Sequence, residues 1–411
     1  MISLYNYKTD KDASEKLWNI GIIKNQPLIL KSSDKDSSFS CTDLSQSEQP
    51  LLPWVKGLTL ENLITLSGME TVYVEKMDKR SGSFGHGVRF PTTFFEFLQT
   101  LKKHGESQVY LSTQPIADDP KTGLPLHLVA PPLSSALSLF ELRPIITDKL
   151  VPANINLWIG SSKSGSSSGL HHDFHSNLYT LLRGKKRFTI AAPSSYNAMY
   201  LNGKVLKVHP NGLINYAGAE THEDGRPIST DPIVDGKYEE DAAEVDAMWA
   251  AITDASFTRL KATATTSRKR MRDKETNDTS CSTTDKKHNP DHFSQIPLAE
   301  FRKKVRNLHI SSPLSPEETL KAIQSLPEVQ SRFPLFSKAK LYTFELNAGD
   351  CLFLPQGWFH EVESIGDEEG DIHMALNHWF WPAVTGTSRP YGKSRSFFEA
   401  AYKKLVKKHK K

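Results

Sequence analysis

The sequence predicts a mainly β protein, a barrel or jelly roll with flanking helices. Short runs of alternating apolar and polar residues, bounded by Gly, Pro, Asn, Asp and Ser, recur on both sides of a long polar insert. Helical periodicity is concentrated near the two ends of the chain. Strands separated by turns favour antiparallel pairing over a parallel sheet.

The elements follow in order. Residues 13–22 fit a short helix carrying Leu17, Trp18 and Ile22, and residues 32–50, rich in Ser, Asp, Lys and Gln, read as a mobile loop. A short capped helix is expected over 59–64 and an alternating strand over 70–75, followed by a Gly/Ser-rich turn over 79–88. After Pro91, Thr92 or Thr93 caps a helix to residue 103. Its Phe94, Phe95, Phe97, Leu98 and Leu101 recur at helical spacing and read as core. Residues 108–113 form a strand, 115–132 a proline-rich connection, 134–142 a helix and 154–160 a strand. The Ser/Gly loop 161–169 lacks the Gly-Lys-Ser ending of a phosphate-binding loop and leads into a strand, so it reads as a turn.

One strand is expected to run from His171 towards Gly184, and another from Lys186 to Ala191, with a turn or short helix over 194–200. The pattern then breaks from Asn202 to His292. Within that stretch 242–260 fits a helix, and 262–290 has no apolar period and reads as disordered. Order returns at 297–301. Ser315-Pro316-Glu317-Glu318 opens a helix to about residue 326, with Ser at the cap, Pro in the first turn and Glu placed to cap back. Strands follow over 339–346, 351–355, 358–363 and 374–381, and a basic helix over 396–411.

Composition bounds the class. The 411 residues are 38% hydrophobic, enough for a large core, and 51 Lys+Arg against 47 Asp+Glu leave a balance of +4 that does not by itself argue for nucleic acid. Three cysteines are too few for a disulfide framework or a Cys-based zinc site and fit a reducing compartment. The N-terminus lacks the apolar core of a signal peptide, and no run approaches the ~18 apolar residues of a membrane span. A soluble intracellular protein, nuclear or cytoplasmic, is expected.

The chemistry centres on His171 and Asp173. Residues two apart on a strand share a face, so an imidazole and a carboxylate are presented together, with His172 turned away. A further nitrogen ligand brought beside them completes a two-His-one-carboxylate triad, a donor set that leaves three metal positions open and suits non-haem Fe(II). His360, beyond the insert, follows a Gly349-Asp350 turn, an apolar strand and Pro355-Gln356-Gly357-Trp358.

Four stretches carry a resemblance: His171-His172-Asp173; Asn177 through the Arg183-Gly184-Lys185-Lys186 corner to Phe188; Gly349 to His360; and Leu376-Asn377-His378-Trp379. Together they resemble the JmjC family of Fe(II)- and 2-oxoglutarate-dependent oxygenases. The likeness is to the cupin-like, JmjC-only branch that includes the asparaginyl hydroxylase acting on hypoxia-inducible factor, and it covers roughly 70–202 and 295–385.

The resemblance implies a double-stranded β-helix with iron held by His171, Asp173 and His360. It implies Lys186 as the cation for the distal carboxylate of 2-oxoglutarate, with Tyr110 and Ser168 as further donors to it. Asn177 and Asn377 match asparagines near the iron-bound end of the cosubstrate, and by alternation His175 faces the iron while His378 packs outside. The implied reaction turns 2-oxoglutarate and O2 into succinate and CO2 and hydroxylates a substrate C–H bond.

The implied organisation is an N-terminal α/β region (1–105), a JmjC domain (106–385) with an insert at about 203–295, and a basic tail (386–411). Hydroxylation of a protein side chain is the first reading, since no accessory chromatin-reading module is visible. Lysine demethylation by the same site, RNA modification and a non-catalytic cupin-like binding module are the alternatives. The basic cluster 268–272 resembles a nuclear-import signal or a solvated charge run, and together with 403–411 offers contacts to nucleic acid or chromatin. The C-terminal helix is alternatively a homodimer contact.

Overall fold

The computed structural model describes residues 3–6, 10–31, 52–77, 83–104, 108–116, 127–226, 290–384 and 390–409, positions 86, 219 and 369 excepted. The basic cluster 268–272 and the helix expected over 242–260 lie outside these residues.

The strands in chain order are β1 (Ser3–Asn6), β2 (Leu28–Lys31), β3 (Thr71–Lys76), β4 (Arg89–Thr93), β5 (Val109–Leu111), β6 (Pro152–Ser161), β7 (Ser166–Ser167) and β8 (His171–His172), then β9 (Ser176–Arg183), β10 (Lys185–Ala191), β11 (Val205–Val208), β12 (Ile214–Tyr216), β13 (Tyr342–Asn347), β14 (Cys351–Leu354), β15 (Phe359–Ile365) and β16 (Ile372–Phe380). The helices are α1 (Asp10–Lys16), α2 (Leu60–Ser67), α3 (Phe94–His104), α4 (Leu298–Leu308), α5 (Pro316–Ser325), α6 (Pro327–Arg332) and α7 (Arg395–His409).

Two sheets face each other. The larger runs β1-β2-β14-β9-β16-β6-β5-β3-β4, and the smaller runs β13-β10-β15-β7 with β8 also on β15. All these pairings are antiparallel except β1 with β2. The architecture is the jelly roll that the strand pattern predicts. Between the sheets lie Tyr179, Leu181 and Leu352 from one and Phe188, Ile190 and Leu346 from the other. Tyr179 and Phe188 meet edge to face with centroids 5.4 Å apart.

The outer face of the larger sheet is covered by helices. Leu60 and Leu63 of α2, Phe94, Phe97 and Leu101 of α3, and Phe398 and Leu405 of α7 join Val74, Leu157 and Leu376 in one core. Thr93 caps α3 reciprocally with Glu96, and Pro91 sits in β4 at the sheet edge, where its missing N–H costs no ladder bond. Ser315 and Glu318 form the expected capping box at α5. Lys403, Lys404 and Lys407 of α7 point to solvent.

Three expectations change. Residues 134–142 make two 3-10 turns, Leu133–Ser135 and Leu137–Leu139, because a serine-rich run before Pro144 offers weak helix formers and a stop. The start of the insert is ordered: β11 and β12 form a hairpin across Asn211-Gly212, a turn signal present in the sequence. The strand expected from His171 to Gly184 is two strands, and the break between them is central to the site. Among the described residues no helix is long and apolar enough to cross a membrane.

Helix α4 packs on the outer face of β15. Arg302 is buried there and donates from both terminal nitrogens to the buried Glu361 carboxylate. Glu361 also accepts from Ser167 Oγ at 2.5 Å. Arg302→Ala strands a buried carboxylate, so it lowers unfolding free energy by about 3–5 kcal/mol. Replacing both partners with methionines restores most of the loss, as urea melts of wild type and the two variants will read.

Candidate metal centre

The centre forms where the chain crosses from one sheet to the other. β8 belongs to the smaller sheet and β9 to the larger, and Asp173, Phe174 and His175 make the passage between them. A strand cannot pair in both sheets without bending, so alternation stops at Asp173. Asn177, four residues after Asp173, already lies on the other sheet, so strand alternation does not relate the two side chains.

The ladder nevertheless brings the triad together. His171 stands directly opposite His360 in the β8–β15 pair. Their ring centroids are 4.3 Å apart, and one potential ligand atom from each of His171, Asp173 and His360 lies within 4.8 Å of the others. His171 Nε2 is 4.0 Å from Asp173 Oδ1, and His360 Nε2 is 3.8 Å from Asp173 Oδ2. The turn before β15 uses Gly357 at φ +75°, where a Cβ would lie 1.8 Å from the Gly212 carbonyl oxygen. Its N–H donates to the Asp173 carbonyl at 2.9 Å, tying the two motif segments together.

The tautomers follow from the backbone. His171 Nδ1–H donates to the Gly169 carbonyl and His360 Nδ1–H to the Trp358 carbonyl, both at 3.0 Å. A carbonyl only accepts, so each Nδ1 carries the proton and each Nε2 keeps its lone pair for a metal. Burial, helped by the neighbouring His360 and opposed by Asp173, pushes the His171 pKa down to about 3, so its imidazole is neutral at physiological pH. Two imidazoles and a carboxylate fit a divalent transition metal.

His172 turns away, with Nε2 2.6 Å from the Tyr216 hydroxyl. His175 stacks on Trp379 at 5.9 Å, and Phe293 stacks on His171 at 4.8 Å. His378 lies on the outer face of its sheet, with its Nε2 2.8 Å from the Glu141 carbonyl.

At the opposite end of β10 and β15, Lys186 points between the sheets and is fully buried. Its Nζ donates to Ser364 Oγ at 2.6 Å and to His373 Nδ1 at 3.0 Å. Among the described residues no carboxylate reaches it. Burial pushes its pKa down to about 7. Tyr110 presents its ring 5.9 Å from Nζ and stacks on Phe84 at 4.9 Å. Burial, then the nearby Glu75 carboxylate, keep its hydroxyl protonated.

Ser168 does not occupy the donor role expected of it. Its hydroxyl donates to the Gly169 carbonyl and accepts from the Val362 N–H, bracing the entry to β8. Ser364 meets Lys186 instead. Period-2 spacing puts Ser364 on the face of His360 and His373 on the face of Asn377, four residues away in each strand, but does not tell that either meets Lys186.

The interior between Lys186 and the triad is polar and unfilled by partners. Asn177 faces in opposite Trp379, and Asn377 opposite Asn156 and Tyr179. Asn177 Oδ1, Asn377 Oδ1, Asn156 Nδ2, Trp158 Nε1 and Trp379 Nε1 are buried without a hydrogen-bond partner among the described residues. Buried polar atoms are seldom left unpaired, so this set marks a binding space. The donor set, the unneutralised cation and the orphaned amides together fit a metal with a small anionic cosubstrate.

The sequence is similar to known proteins along most of its length. A family profile described as a cupin-like domain matches residues 68–386. Over 428 aligned positions, spanning 92% of this chain and 83% of the relative, the sequence is 30% identical to JmjC domain-containing protein 4 of Schizosaccharomyces pombe. A stretch of 50 residues, 12% of this chain and 14% of the relative, is 52% identical to tRNA wybutosine-synthesizing protein 5 of Gallus gallus. A jelly-roll fold, a convergent His-Asp-His triad and likeness along most of the chain make the protein a member of the JmjC-type, cupin-like domain family.

Proposed function

We propose that the protein is an Fe(II)- and 2-oxoglutarate-dependent oxygenase that hydroxylates a protein side chain. One observation carries the cosubstrate reading: a fully buried lysine with no acid beside it among the described residues, on the strand next to the one that carries His360. Burying an unneutralised ammonium destabilises the fold unless an anion completes it. Lys186 pairs with Ser364, and His360 with Ile190, so the two levels are four residues apart. At ~3.3 Å per residue this is about 13 Å of strand. Less the reach of both side chains, that leaves room for a short dicarboxylate.

The residues divide the work. His171, Asp173 and His360 would hold Fe(II) through Nε2, a carboxylate oxygen and Nε2. Lys186 holds the distal carboxylate of 2-oxoglutarate, and Asn177 and Asn377 offer amides to its other end. Tyr110, Trp158 and Phe84 wall the space and keep water from the charge pairs, which strengthens them. With both bound, the centre supplies O2 activation coupled to decarboxylation of 2-oxoglutarate to succinate and CO2 and hydroxylation of a C–H bond. The local likeness to a protein named for tRNA wybutosine synthesis supports a second reading, in which the substrate is RNA.

Anaerobic Fe(II) and 2-oxoglutarate will give a visible charge-transfer band that is abolished in His171→Ala and weakened in Lys186→Ala. A folded, metal-free protein that gives no band overturns the oxygenase reading. Succinate release on peptides, methyl-lysine peptides and RNA then separates the substrate classes.

Binding will also take up a proton. The anion needs the charged lysine, and free Lys186 is neutral above about pH 7. The 2-oxoglutarate Kd will therefore rise about tenfold per pH unit above pH 7 and stay flat just below it. Calorimetry in buffers of different ionisation enthalpy, with Mn(II) as an inert metal, reads the uptake directly.

A further inference from the structure

His373 is fully buried on β16, directly opposite Gly160 of β6. Two glycines make room for it. A Cβ at Gly160 would lie 2.7 Å from His373 Cε1, and one at Gly184 would lie 3.0 Å from His373 Cβ. The first contact is closer than side chains tolerate and the second is tighter than most, so the backbone leaves room on two sides of this imidazole.

The ring's one described hydrogen bond is to Lys186, which donates to Nδ1 at 3.0 Å. An ammonium has three N–H groups. Two are used here on neutral acceptors, His373 and Ser364, and among the described residues the third has none. The chemistry of the acceptor matters. A carboxylate at position 373 would neutralise Lys186 and remove its pull on an anion. An apolar side chain would leave Nζ free to swing and desolvated on one side. A neutral imidazole fixes the ammonium and leaves its charge intact.

We propose that His373 is a positioning residue: by accepting one N–H of Lys186 it aims the ammonium at the distal carboxylate of the dicarboxylate cosubstrate. This inference rests on the proposed function and adds to it a residue outside the triad and its matched motifs.

Two amide variants test it at similar polarity. In His373→Asn the side-chain oxygen takes the place of Nδ1 and still meets Lys186. In His373→Gln the amide sits one atom further on, at the place of Nε2. Calorimetry of 2-oxoglutarate into Mn(II)-loaded protein will show His373→Asn within about threefold of wild type. His373→Gln will be weaker by about tenfold to a hundredfold, the worth of one hydrogen bond to a charged group. Mn(II) affinity will be unchanged in both, which a general loosening of the barrel would not leave intact. Equal 2-oxoglutarate binding by the two variants, or a parallel loss of Mn(II) binding, overturns the role of His373 while wild-type binding keeps the oxygenase reading. Wild-type protein that binds Mn(II) but not 2-oxoglutarate overturns the cosubstrate reading and this inference with it.

Discussion

The centre depends on one cross-strand pair, His171 against His360. β8 is only two residues long, so its register is held by little ladder of its own. Side-chain direction alternates strictly along β15. A slip of one residue would turn His360 outwards and bring Glu361 into the barrel. The structure opposes that slip from both faces. Inside, the Gly357 N–H holds the Asp173 carbonyl and the two Nδ1–H groups hold backbone carbonyls. Outside, Arg302 holds Glu361, while Arg306 and Arg187 hold Glu363.

β15 is thus a strand with two unlike faces. His360, Val362 and Ser364 look into the barrel, and Phe359, Glu361 and Glu363 look towards α4. The outer carboxylates contribute little chemistry and much registry. Buried ion pairs are weak sources of net stability, but they are unforgiving of misplacement. Their directional hydrogen bonds suit a strand whose opposite face must present an imidazole and a hydroxyl at set levels.

The barrel interior gives up stability for readiness. A jelly roll filled with Leu and Phe would be more stable than one holding Lys186, His373 and a row of unpartnered amides. The apolar cluster around Tyr179, Phe188 and Leu352 confines this polar space to one side. Tyr110, Trp158 and Phe84 form its aromatic wall, so charges inside act at low dielectric.

By itself the sequence determined most local elements, and for local reasons. Period-2 alternation marked the long strands β6, β10 and β16, the Ser315–Glu318 box marked the start of α5, and the His-x-Asp motif marked His171 and Asp173, while His360 was named by the family resemblance of its stretch. These signals reside in neighbours along the chain. Only the tertiary structure decided that the chain changes sheets at Asp173, that Ser168 is engaged by Gly169 and Val362, and that Ser364 and His373 are the partners of Lys186. Alternation tells which residues of one strand share a face. Which strands stand opposite one another, and at what register, is set by the closing of two sheets over a common core, and no local pattern carries that information.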